Sequence, residues 1–228
     1  KAMAADAIIV GGGSGARFGR KKQFIRLGET PLLKRTAVPF ERHESVRGIV
    51  VVVPEEDIPL ASEILSGISK PLRFAQGGRT RQESVWSGLM LSEESEYVLI
   101  HDAVRPFVTG ELISRVLTGI ADFDACIPGL AATNTLKEVN GDLVVRTVPR
   151  SNVYAIQTPQ CFRRERIVEA HTWAQGRGMS DATDDSALIE AIGGRIRVVE
   201  GDPFNMKITH RQDMEIAEAI VKCRTEWA

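Results

Sequence analysis

The stretch 8–23, reading IIVGGGSGARFGRKKQ, runs an apolar strand straight into glycines and then into spaced cations. Gly11, Gly12, Gly13 and Gly15 allow the backbone positive φ and bring its N–H groups close to a polyphosphate. Arg17, Arg20, Lys21 and Lys22 then supply the charge such an anion needs. No pair of glycines frames G-x-x-x-x-G-K-[ST], so a P-loop is excluded. Gly11, Gly13 and Ala16 do fit the dinucleotide fingerprint G-x-G-x-x-G/A. That design also needs a helix opening at the glycines and an acidic residue about 20 positions on. The next helical pattern opens only near Pro31, and the second strand is followed by Glu55, much too far along. A long loop of glycines and cations suits a nucleoside triphosphate lying across a sheet edge better than a dinucleotide.

Asp102 follows another apolar strand and is expected beside this loop. A carboxylate next to a triphosphate makes chemical sense with a cation between them. Mg²⁺ is the natural one, because it takes oxygen ligands and is commonly held by one or two carboxylates plus substrate phosphates. Taken alone, Asp102 reads equally well as a turn residue before Arg105-Pro106. Arg17, Lys22, Arg150 and Lys207 each stand at the edge of a predicted element, and each alone fits a solvated surface charge. Together with Asp102 they describe phosphoryl or nucleotidyl transfer, where catalysis is mostly positioning and charge neutralisation. His101 reads as a packed strand-end residue. Thr183-Asp184-Asp185 reads as a helix N-cap with acidic first-turn residues, outside the site.

The elements that must position these residues alternate. Strands are predicted at 7–10, 48–53, 72–75 and 97–101, with helices at about 31–42, 55–65 and 80–91. This βαβ repetition, with apolar residues on consecutive positions at 49–53, predicts an α/β domain whose mainly parallel sheet is covered on both faces. Ligands in such sheets sit beyond the carboxyl ends of the strands. Gly11–Gly13, Gly77-Gly78-Arg79 and His101-Asp102-Ala103 would therefore converge on one edge. From 132 to 157 the pattern changes to short alternating segments, 135–139 and 143–148, around Asn140-Gly141, a hairpin signal. A β arm projecting from the body is expected there, and an arm too thin to bury its own face predicts dimerisation through it. A helix from about 163, a second from about 184, a strand at 196–199 and a closing helix at about 211–223 complete the chain.

The 228 residues suit one domain with the arm as an insertion. With 29 Lys plus Arg against 30 Asp plus Glu, no global field points to nucleic acid or membrane, so a phosphate ligand must be held by local charge. Cys126, Cys161 and Cys223 are odd in number and widely spaced, which argues against a disulfide framework or a zinc site. A reducing, cytoplasmic location is expected. No apolar run is long enough for a bilayer, and the first strand starts so early that no signal or transit peptide is expected.

The ordered pieces GGGSGARFG, KKQ, GGRTRQES, HDAVRPF, TPQCF, TDDSA and NMKIT cover nearly the whole chain. In that order they resemble the 2-C-methyl-D-erythritol 4-phosphate cytidylyltransferases of non-mevalonate isoprenoid biosynthesis. The resemblance implies a Rossmann-like nucleotidyltransferase fold and a homodimer joined by the β arm. Its reaction is that of CTP with methylerythritol phosphate, giving the CDP-alcohol and pyrophosphate. It places Gly11, Gly12, Gly13, Gly15 and Arg17 around the triphosphate, and Lys22 with Arg17 at the α-phosphate. Gly78, Arg81, Ser84 and Ala103 fall to the nucleotide, Asp102 to Mg²⁺, and Arg105, Thr158 and Lys207 to the acceptor phosphate. Thr135 and Arg150 would reach the partner subunit's site. Asn205 is added as a second polar group near the metal.

Three departures stand out. Gly11-Gly12 replaces the usual Ala-Ala, Lys21 replaces the usual proline before the catalytic lysine, and the segment from Gly19 to Lys22 is short. Lys22 is preferred over Lys21 by its place before Gln23. The chemistry itself needs no general base, since a phosphate monoester is largely a dianion at neutral pH and attacks as it stands. Alternatives are a ribitol-5-phosphate cytidylyltransferase, a sugar-1-phosphate nucleotidyltransferase using UTP or GTP, and a non-catalytic nucleotide-binding regulator.

Overall fold

The computed structural model describes residues 3–12, 21–92 and 95–223. In chain order the elements are β1 (Ala5–Val10), β2 (Arg26–Leu27), β3 (Thr30–Pro31), α1 (Leu32–Arg42), β4 (Val46–Val53), α2 (Ile58–Ile64), β5 (Leu72–Gln76), α3 (Arg81–Leu91), β6 (Tyr97–Asp102) and α4 (Gly110–Gly119). They continue with β7 (Ala125–Ala131), β8 (Leu136–Asn140), β9 (Leu143–Val148), β10 (Tyr154–Ile156), β11 (Gln160–Arg163), α5 (Arg164–Gln175), α6 (Ser186–Ala191), β12 (Ile196–Glu200) and α7 (Arg211–Cys223).

The sheet order is β10-β7-β11-β6-β1-β4-β5, with β12 on β7. The pairs β1 with β4, β1 with β6, β4 with β5 and β7 with β12 are parallel, whereas β10 and β11 run antiparallel to their neighbours. The sheet is therefore mainly parallel, as expected. Every residue of β1 and β6 is buried, and alternate residues serve opposite faces. Ile9, Val51 and Leu99 meet Leu33, Phe40, Ala61 and Leu117 from α1, α2 and α4. Ile8, Val50 and Ile100 meet Val85, Leu89, Ile167 and Leu188 from α3, α5 and α6. Helices on both faces are the reason these strands read as unbroken apolar runs.

A third cluster matters for the site. Ile208 packs with Leu27, Leu32, Phe107, Met214 and Ala217, and its N–H donates to Val104 at 2.9 Å. The 205–209 segment is thereby clamped between α7 and the turn after β6.

Several boundaries differ from expectation. Asp102 is the last residue of its strand rather than the residue after it. The free hairpin is only β8 and β9, and among the described residues they pair with each other alone. Tyr154–Ile156, expected in the arm, joins the central sheet against β7, because Gly129 to Ala131 offer it an open edge. The turn is Gly141-Asp142, one residue later than Asn140-Gly141, with Gly141 at φ +61° and Asn140 paired to Leu143. The helix α4 and the strand β7 were not anticipated at all.

Candidate active site

Three loops meet where the strands end. Gly11 follows β1, Gly77 and Gly78 follow β5, and Ala103 follows β6. A Cβ on Gly11 would lie 3.3 Å from the Ala103 Cβ, and one on Gly12 would come within 2.8 Å of Ser84 Oγ. Ser84 Oγ accepts from the Gly78 N–H at 3.0 Å and donates to the Thr80 carbonyl at 2.9 Å. The second glycine pair is thus pinned to the first turn of α3, where Thr80 caps the helix by accepting from the Glu83 N–H. A Cβ at Gly78 would stand 2.3 Å from the Glu83 Cβ, so no other residue fits there without displacing the turn. Gly11, Gly12, Gly78, Ser84 and Ala103 form one wall. Gly13, Gly15 and Arg17 lie outside the described residues.

Beside this wall, Asp102 gathers cations. Its Oδ1 accepts from Arg81 Nε at 3.1 Å, and its Oδ2 lies 2.9 Å from Lys207 Nζ and 3.7 Å from Arg105 Nε. Burial alone would raise the Asp102 carboxyl. The charges of Arg81, Lys207 and Arg105 outweigh it and hold the group far below the usual carboxylate range. Asp102 is therefore an anion at any physiological pH. Arg105 is anchored by Nη1 on the Asn205 carbonyl at 2.8 Å. Lys22 Nζ donates to the Thr209 carbonyl at 3.1 Å, two residues past Lys207. Lys21 points elsewhere, to the carboxylates of Asp57 at 2.7 Å and Glu56 at 3.1 Å. That geometry separates the two lysines in the sense expected from the place of Lys22 before Gln23, whose side chain donates to the Gly11 carbonyl.

Thr158 and His101 support Asp102 from behind. Thr158 Oγ1 accepts from the Asp102 N–H at 3.1 Å and bonds His101 Nδ1 at 2.9 Å, while His101 Nε2 faces the Arg105 carbonyl at 3.1 Å. A carbonyl only accepts, so Nε2 carries the proton and Nδ1 takes the Thr158 hydroxyl proton. Burial pulls His101 down to about 4, which keeps the ring neutral. His101 is a packed strand-end residue with both nitrogens occupied. The cleft alongside has a volume of about 840 Å³, and Asp102, Arg81, Arg105, Thr158, Gln160 and Lys207 line its polar side.

A glycine wall beside an anionic Asp102 ringed by three cations is a frame for moving a phosphate-bearing group, and the comparisons say which. Residues 5–223 match the family described as IspD, 2-C-methyl-D-erythritol 4-phosphate cytidylyltransferase. The chain belongs to this family. Its relatives of that name include a protein of Bacillus cereus, 38% identical over 94% of this chain and 96% of its own length. Another, from Geobacillus thermodenitrificans, is 39% identical over 96% and 97%. Among solved structures, 4-diphosphocytidyl-2C-methyl-D-erythritol synthase from Anaerococcus prevotii superposes with a TM-score of 0.87 at 30% identity, covering 97% of this chain and 100% of that one. The 2-C-methyl-D-erythritol 4-phosphate cytidylyltransferase from Thermus thermophilus gives 0.80 at 32%, covering 94% and 98%. The fold is that of these cytidylyltransferases, Rossmann-like with a β arm.

Two expected residues stay apart from the cleft. Thr135 and Arg150 are exposed at the base of the arm, where the Arg150 guanidinium donates to the Thr133 carbonyl. Neither lines the space at Asp102. Arg81, expected against cytosine or ribose, spends its fork on two carboxylates, Asp102 and Asp185. Asp185 is the residue that sequence reasoning passed over. The N-cap reading holds for Asp184, whose Oδ1 accepts from the Ala187 N–H at 3.0 Å. Asp185 instead turns inward, 2.6 Å from Arg81 Nη1. A doubled aspartate before a helix, when one suffices for the cap, was the available signal.

Proposed function

We propose that the chain transfers the cytidylyl group of CTP to 2-C-methyl-D-erythritol 4-phosphate, giving 4-diphosphocytidyl-2-C-methyl-D-erythritol and pyrophosphate, with Mg²⁺ at Asp102 and as a homodimer. The single observation that carries this reading is Asp102 set between Lys207 and Arg81 next to the glycine wall. The acceptor phosphate attacks the α-phosphorus of CTP, a new P–O bond forms, and the bond to the β-phosphate breaks. Attack of one anion on another needs positive charge at the meeting point. Lys207, Arg105 and Lys22 supply it from the described residues, and Arg17 is proposed to add to it.

The donor set fits Mg²⁺ of the kind bound mainly through phosphates, since one carboxylate suffices for it. Lys207, two-fifths exposed, can leave Asp102 Oδ2 for a substrate phosphate. Asn205 Oδ1, buried and without a hydrogen-bond partner among the described residues, is the second protein oxygen of this proposal. When bound, the ion would neutralise triphosphate oxygens and the leaving pyrophosphate. Gly11, Gly12, Gly78, Ser84 and Ala103 would hold the nucleotide, and Thr158 would fix Asp102 and border the acceptor. Thr135 and Arg150 would serve the partner subunit's cleft, which accounts for their distance from this one.

Pyrophosphate release tests the reading, with CTP and methylerythritol phosphate run beside ribitol 5-phosphate and beside UTP, GTP and ATP. Release confined to the first pair supports it, while preference for ribitol 5-phosphate keeps the chemistry and changes the acceptor. A cytoplasmic location is part of the proposal. No helix among the described residues is long and apolar enough to cross a membrane.

A further inference from the structure

Arg81 stands between two buried carboxylates in an unequal way. It gives Nε to Asp102 Oδ1 at 3.1 Å and Nη1 to Asp185 Oδ2 at 2.6 Å. A guanidinium facing a single carboxylate pairs with it through two parallel hydrogen bonds and occupies both oxygens. Here Asp185 holds the guanidinium through Nη1, from an edge other than the one Nε shares with Nη2, so Arg81 meets Asp102 through Nε and Asp102 Oδ2 is left to Lys207.

Asp185 is well placed to do this. Its side chain is 2% exposed, so water does not compete with Arg81 for its carboxylate. Behind it lies His171 of α5, with Nε2 3.7 Å from Asp185 Oδ1, too long for a hydrogen bond. The His171 ring stacks on Trp86 of α3, the helix that carries Arg81, with centroids 5.9 Å apart. On the other side, Asp184 takes the Ala187 N–H, the Ser186 hydroxyl and the Gln160 amide, the last at 2.7 Å. The peptide carrying Asp185 is thus fixed to α6 and to β11 at once.

We propose that Asp185 is a positioning residue for the transfer, which holds Arg81 to one hydrogen bond on Asp102 and so leaves Asp102 Oδ2 to Lys207, poised beside the reacting phosphates. This rests on Asp102 and Lys207 serving the reaction as read above. Asp185 touches no substrate in this account, and its effect passes through Arg81 alone. Without the Asp185 charge, Arg81 swings its full fork onto Asp102 and displaces Lys207 from it.

The test is steady-state pyrophosphate release by Asp185→Asn in the wild-type background and in an Arg81→Lys background, with thermal unfolding measured on each. Lysine keeps a charge beside Asp102 but has no second nitrogen for Asp185 to hold. Asp185→Asn alone should stay folded and lose about 10- to 100-fold in kcat, the range for groups that orient a site from behind. Its KM for CTP should move by no more than about threefold, because the nucleotide wall is untouched. In the Arg81→Lys background the same change should cost less than about threefold, since two residues acting through one contact are not additive. An unchanged kcat, an equal loss in both backgrounds, or an Asp185→Asn chain that no longer folds would each overturn the proposal. A wild-type chain silent with CTP and methylerythritol phosphate would instead overturn the functional reading, and the proposal with it.

Discussion

At the scale of single residues, Asp102 is an anion stabilised by three cations, and the proposed transfer needs its charge. Asp102→Asn should lower kcat on the order of 10²- to 10³-fold, the cost of removing one charge-stabilising group from a transfer site. Arg81 keeps Asp185 as a partner in that variant, so the fold should survive. Lys207→Ala should lose a similar factor; wild-type rates in either folded variant would remove that residue from the mechanism. Chelation of Mg²⁺ should abolish release and added Mg²⁺ restore it. His101 gives a separate test. Its folded-state pKa of about 4 lies below the ordinary 6.5, so between these values the unfolded chain binds more protons and stability falls as pH falls. The contribution is complete above pH 6.5. Urea unfolding should lose about 1.5 kcal/mol from this residue between pH 6.5 and 5, since the unfolded imidazole is half protonated at the upper end and nearly full at the lower. His101→Asn should flatten that part of the profile, and an unchanged slope would contradict the buried neutral ring.

At the scale of elements, each site residue is held by packing that can be loosened. Ile208 is fully buried under α7 and carries its neighbour Lys207. Ile208→Ala should cost about 2–4 kcal/mol of stability and also lower kcat, since Lys207 loses its fixed backbone. Much of this scaffold was legible. Parallel strands covered on both faces leave unbroken apolar runs, so β1, β4 and β6 were plain, and the helical pattern from about Thr80 placed α3. The strand β7 was hidden because Pro128 and Gly129 sit inside it, where both residues usually argue against a strand. The helix α4 could have been found from Thr109, its cap, followed by Leu112, Ile113, Val116 and Leu117 at helical spacing. In the site, Asp102, Lys207 and the glycine wall were legible from their places at element ends. Asp185 was less plain, because the doubled aspartate before α6 marks a spare carboxylate without naming its partner Arg81, 104 positions away.

At the scale of the whole molecule, β8 and β9 form a two-stranded arm with Val139, Leu143, Val144 and Val145 exposed, which is more apolar surface than an isolated hairpin keeps in water. Leu143→Lys with Val145→Lys should convert a dimer to a monomer in sedimentation and reduce turnover along with it. Arg17→Ala and Arg150→Ala chains, each inactive alone, should recover part of the activity when mixed if the arm serves the partner subunit's cleft. No recovery in verified heterodimers would count against a shared site. The measurement that bears most directly on the central claim is pyrophosphate release with Mg²⁺, CTP and 2-C-methyl-D-erythritol 4-phosphate, compared across acceptors and nucleotides. Release is expected with that pair, and little with ribitol 5-phosphate or with UTP, GTP or ATP. Silence with every pair from a folded, nucleotide-binding chain would contradict it.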